Sequence, residues 1–79
     1  MSVIVRPSQL RLEMTRRGWD AFHLAKEARL SPATVSAALA GRPIAARSLT
    51  MIAEALLHAP VLDIIDAIIA SEAPERDLG

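Results

Sequence analysis

Two histidines, His23 and His58, are the only imidazoles among the 79 residues, and the chain has no cysteine. They stand far apart in sequence with no thiol near, so they make no credible metal-ligand pair. No cluster of carboxylates accompanies either one, which leaves general acid–base chemistry without its groups. Three glycines are too few for a loop that cradles phosphates. The serines stand in no setting that would activate a nucleophile. An enzyme is therefore not expected, and neither is a metal, a cofactor or a small-molecule ligand. What remains is non-covalent chemistry. Ser31, Thr34 and Ser36 offer hydroxyls, Arg42 and Arg47 offer guanidinium groups, and His23 can donate to an anion or simply be solvated.

The stretch that must position these groups runs from Asp20 to Gly41. It reads as two short helices joined by a tight turn. Leu24, Ala25 and Ala28 share a face of the first, and Val35, Ala38 and Leu39 share a face of the second. Asp20 is the expected N-cap of the first, with Trp19 packing back as a hydrophobic staple. Ser31-Pro32 reads as a second helix start, a capping hydroxyl followed by proline at the first helical position. Gly41 ends that helix where a left-handed residue is needed.

This pattern resembles the helix-turn-helix of lambda-repressor-like (Cro/XRE-type) DNA-binding proteins. Small Ala25 lets the helices approach, Leu30 plugs the turn and Val35 anchors the second helix. The run Ser31-Pro32-Ala33-Thr34-Val35-Ser36 is also similar to the recognition helix of LacI-type repressors. The resemblance extends, more weakly, from about Leu10 to Leu57. One departure stands in the turn, where the family usually has glycine and this chain has Arg29. A left-handed arginine costs roughly 1 kcal/mol relative to glycine.

The resemblance implies a second helix lying in the major groove of double-stranded DNA, with Pro32, Ala33, Thr34, Ser36 and Ala37 near base edges. It places Arg42 and Arg47 on the DNA backbone. The set at the bases is unusually small. Nothing in it can fork two hydrogen bonds to one base; Thr34 and Ser36 can make single bonds, and Ala33 and Ala37 can touch thymine methyls. Shape and phosphate contacts would then carry much of the recognition.

Around this unit, a first helix is expected from near Ser8 to Arg17, stopped by Gly18, with Leu10 and Met14 inward and Leu12 at the edge. Arg16 and Arg17 at its end suit either the negative helix terminus or a phosphate. Trp19 and Phe22 are read as core. Arg42 to Arg47 reads as a connector to a fourth helix, whose Leu49, Ile52, Ala53 and Leu56 form an inward stripe ending near His58. A fifth helix, about Val61 to Ser71, carries an apolar arc of about 160°. One sub-stripe of it can seal the domain, leaving Val61, Ile64 and Ile68 for a homodimer interface. Val3-Ile4-Val5 is too short to stand alone as a strand. It is left open between pairing with its copy in a dimer, lying over the core, and a disordered arm.

The expected fold is all-α, a compact bundle of about five short helices, with a short N-terminal strand as an option. One domain covers residues 1–72, with 1–7 as arm or strand and 60–71 as the dimerisation helix, and 73–79 form a flexible tail. Apolar residues make up 52% of the chain and aromatics only 3%, more apolar surface than so small a monomer readily hides.

The formal net charge is zero, yet it is unevenly spread. Residues 1–47 hold eight cations (Arg6, Arg11, Arg16, Arg17, Lys26, Arg29, Arg42, Arg47) against Glu13, Asp20 and Glu27, a balance of +5. Residues 48–79 hold Arg76 against six carboxylates, a balance of −5. A dipolar chain of this kind can turn its positive end toward phosphates. Neither a secretory signal nor a membrane span is expected, and the location expected is cytoplasmic. The function expected is a transcriptional regulator, a small phage Cro-like repressor. The alternatives are an antitoxin, whose fifth helix would bind a toxin, and a purely protein-binding helical module.

Overall fold

The computed structural model describes residues 1–61, which form four helices and a two-stranded antiparallel ladder. Strand β1 is Ser2–Val3, helix α1 Pro7–Arg16, α2 Ala21–Ala28, α3 Pro32–Leu39, strand β2 Ile44–Ala45 and α4 Ala46–His58. The helical bundle with a short N-terminal strand is present, with α2, a turn and α3 as its helix-turn-helix. Residues 62–79, with Ile64, Ile68 and the greater part of the expected fifth helix and tail, lie outside the described residues. Val61 is the last described residue, outside any helix and about half exposed.

Each helix start follows from its first residues. Pro7 opens α1 and Pro32 opens α3, where a missing N–H and a fixed φ are advantages. The Asp20 carboxylate accepts from His23 N–H at 2.7 Å to cap α2, and Ser31 Oγ accepts from Thr34 N–H at 3.2 Å to cap α3. Helix α4 has no such cap: Ala45 precedes it, and its first N–H, that of Ala46, donates to Met1 O at 3.0 Å.

Three helix ends share one hydrogen-bond motif. After α1, Gly18 N–H donates to Thr15 O and Trp19 N–H to Met14 O; after α3, Gly41 N–H donates to Ala38 O and Arg42 N–H to Ala37 O. After α2, Arg29 N–H donates to Lys26 O and Leu30 N–H to Ala25 O. This closure needs a left-handed residue. Gly18 (φ +71°) and Gly41 (φ +74°) supply it, and Arg29 does so at φ +58°, as its place in the turn predicts.

The core is a single cluster of Leu10, Met14, Leu24, Ala25, Ala28, Val35, Ala38, Ile44 and Ile52. Helix α2 packs on α3 and α4, and α1 on α3. Leu24, Val35 and Ile52 are fully buried, each contributing about 1.5–3 kcal/mol of hydrophobic stabilisation. Ala25 and Ala38, on facing elements, keep α2 and α3 close.

One open alternative closes and three expectations need correction. The N-terminal run pairs within its own chain, Ser2 opposite Ala45 and Val3 opposite Ile44, which settles the options left open for it. Phe22 is 74% exposed, because its flank of α2 faces away from the buried Leu24 and Ala28. On α4, Ile52 is buried and Leu56 half-buried as expected, but Leu49 and Ala53 are exposed; Ser48 and Ala55 take their places on the inward side. Finally, Arg47 lies in the first turn of α4, one residue past its start, and the connector ends at Ala45.

Candidate nucleic-acid interface

Helix α3 buries Val35 and Ala38 and half-buries Thr34, Ala37 and Leu39, which leaves Pro32, Ala33 and Ser36 as its exposed residues. Pro32 and Ala33 are exposed at its start, and Ala37 is half-buried. Ala33, Thr34 and Ala37 form one wall of a shallow concavity of about 300 Å³, and Pro43, Ile44 and Ala45 with Ser48 form the other. Ser36 is exposed on the opposite flank and does not line it. The Thr34 hydroxyl lies 3.0 Å from Ser31 Oγ, so the two hydroxyls hold each other at the helix start.

The cations of the basic half divide into two groups by what they touch. Arg11 donates to Leu39 O at 3.2 Å and so ties α1 to the end of α3. The Arg17 side chain is only 11% exposed; its Nε donates to Leu56 O at 2.9 Å and its Nη1 to Glu13 O and Glu13 Oε1, both at 2.8 Å. Arg16 pairs with the same carboxylate at 3.3 Å. These three are spent inside the molecule, Arg17 as a brace between α1 and the end of α4. The Arg17 hydrogen bond is the largest cause holding the Glu13 carboxyl below its usual range; desolvation opposes it, and the charges of Arg16 and Arg17 with the Arg16 hydrogen bond add to it.

Arg6, Lys26, Arg29, Arg42 and Arg47 make no side-chain hydrogen bond or ion pair among the described residues. Of these, Arg42 and Arg47 flank the β2 wall in sequence. Arg42 holds the position where the other two helix ends place Trp19 and Leu30 against the core, and it is exposed instead. Arg47 sits at the positive end of α4, whose first turn holds no acidic residue. A cation there is unfavourable for the helix and favourable for an anion arriving from solution.

His23 is not brought to this surface. It stacks on Trp19, ring centroids 4.8 Å apart, and its Nε2 lies 3.5 Å from Glu27 Oε1. Both rings line a larger open cleft, about 680 Å³, between α2 and α4, together with Arg29, Met51, Glu54 and His58. His58 Nδ1 lies 2.8 Å from Glu54 O. Each histidine in this cleft has a glutamate four residues from it, Glu27 after His23 and Glu54 before His58; the first pair meets through its side chains, the second through the Glu54 backbone carbonyl. No group of three or more His, Asp or Glu among the described residues is placed to hold a metal ion.

No family model matches the chain, and no curated protein or solved structure matches it significantly.

Proposed function

We propose that the chain is a sequence-specific regulator that binds double-stranded operator DNA, with α3 in the major groove, as a homodimer. The observation that carries this reading is the short side chains that α3 brings to a shallow concavity, whose second wall is bracketed in sequence by Arg42 and Arg47, both exposed and without a side-chain partner among the described residues. A helix with its side chains is about 10–12 Å across and the groove about 12 Å wide, so short side chains allow close seating. The arginines then meet phosphates on the rim, which fixes register, while the α4 amino end adds a positive dipole to the same side. His23 is given no part, because it is engaged with Trp19 and Glu27. The carboxylates concentrated in residues 48–79 would turn away from the DNA.

Repression by occluding a promoter and a cytoplasmic location belong to the same proposal. No helix among the described residues is long and apolar enough to cross a membrane. The homodimer rests on the apolar run that includes Val61, Ile64 and Ile68, and sedimentation at tens of micromolar tests it. A second reading, an antitoxin-type or other protein-binding module, is favoured by the exposure of Phe22 and of Leu57 at 80%.

The deciding experiment is selection of duplexes from a random pool by the purified protein, followed by salt titration on the winner. A palindromic site is expected, with log affinity falling linearly against log salt. Recovery of no preferred duplex would overturn the reading in favour of the protein-binding one.

A further inference from the structure

We infer that the cleft between α2 and α4 binds a zwitterionic α-amino acid with an apolar side chain, independently of any DNA binding. At about 680 Å³ the cleft has room for such a molecule, and its lining supplies each kind of contact that one needs. Glu54 lines it from α4 and Arg29 from the turn after α2. Neither side chain has a hydrogen-bond or ion-pair partner among the described residues, and the two do not pair with each other. A carboxylate and a guanidinium left open in one cleft match the ammonium and carboxylate groups of a single small molecule. A ligand with one charge would satisfy one of them and leave the other.

The rest of the lining fixes the character of the side chain. Trp19 and His23 stack on each other and both line the cleft, with Met51 and Ala55 contributed by α4. Aromatic rings and a thioether suit a hydrocarbon or aromatic group. Glu27, the other carboxylate in the lining, is engaged by His23 Nε2 at 3.5 Å, which leaves Glu54 to receive the ammonium group. The pair Glu27 and Glu54 disfavours a phosphate or other polyanion, and Arg29 disfavours a polyamine. A small-molecule ligand was not expected from the sequence, because Arg29 and Glu54 share a cleft only once α4 packs on α2.

The test is an NMR titration of the full chain, isotope-labelled at its amides, with three probes. L-Phenylalanine carries both charges, 3-phenylpropionate lacks the ammonium group, and phenethylamine lacks the carboxylate. Phenylalanine at millimolar concentration is expected to cause saturable shifts at His23, Arg29 and Glu54. Both analogues are expected to bind about threefold more weakly, the worth of one exposed charge pair. Glu54→Gln is expected to erase the preference over 3-phenylpropionate and keep that over phenethylamine, and Arg29→Gln to do the reverse. The preference that each variant keeps shows that its cleft is still formed. Equal affinities for the three probes, or preferences that neither substitution moves, overturn the inference. So does a spectrum that no probe shifts, the outcome if a second copy or the chain's own remaining residues occupy the cleft.

Discussion

The ends of α2 and α3 are built from the same two hydrogen bonds, yet they serve opposite purposes. After α2 the left-handed residue is Arg29 and the next is Leu30, which packs against the core. After α3 the left-handed residue is Gly41 and the next is Arg42, which is exposed. The first end accepts backbone strain and gains an apolar plug. The second relaxes the backbone and forgoes the plug, leaving a cation where a leucine would have stabilised the fold. Departure from a locally favourable pattern, with no compensating contact among the described residues, is what makes Arg42 a candidate for binding rather than for holding the domain together.

The sharpest way to break this contrast is at the plug. Leu30→Ala should cost about 2 kcal/mol in urea denaturation, the low end for leucine truncation because the side chain is only partly buried. Arg29→Gly should stabilise by up to about 1 kcal/mol, less the entropy that glycine adds to the unfolded chain. A marked loss of stability would mean that the arginine side chain makes a contact the strain serves. Arg42→Ala should change stability by less than about 0.5 kcal/mol, as for a surface residue without partners among the described residues. The same substitution should lower the salt slope of DNA binding by about one, and equally on specific and random duplexes. An unchanged slope would return Arg42 to the class of inert surface charge.

The mildest effect belongs to an arginine that is committed internally. Glu13 has its carboxyl held below the ordinary 4.5, chiefly by the Arg17 hydrogen bond. Its folded value lies under its unfolded one, so the contribution is fully present above the unfolded value and is lost as pH falls through the folded one. The stability difference between the wild type and Glu13→Gln should be constant from neutral pH down to about pH 5 and close on further acidification. A difference that persists into acid would show that Glu13 acts through packing rather than through its charge.

What could be read from the sequence was local. Asp20, Ser31-Pro32 and Gly41 each act through bonds within a few residues, and so does the strain at Arg29; all were legible. What could not be read depended on neighbours distant in sequence. The apolar residues of α4 cover more than one face, so periodicity alone allowed Leu49 and Ala53 to be turned inward where Ser48 and Ala55 are. Phe22 was assigned to the core on its chemistry, although its angle from Leu24 and Ala28 places it outside. Arg17 looked like any helix-terminal cation until α4 brought the Leu56 carbonyl to it. For the candidate concavity, Ala33, Thr34 and Ala37 follow from spacing along α3, but the second wall from Pro43 to Ala45 required the ladder to be known.

That ladder bears on the order in which the molecule is made. Helices α1, α2 and α3 close through contacts among near neighbours, whereas β1 meets β2 only after the whole intervening chain has been drawn into place. Closing so long a loop is entropically late work, and contacts of this kind slow folding. The amino end also supplies the oxygen that receives the first N–H of α4, a helix with no side-chain cap of its own. The residues on the amino side of the domain would therefore be among the last to settle, acting as a clasp whose fastening completes the helix that carries Arg47. Weakening it with Val3→Ala should speed unfolding and leave the refolding rate nearly unchanged, the mark of a contact absent from the transition state.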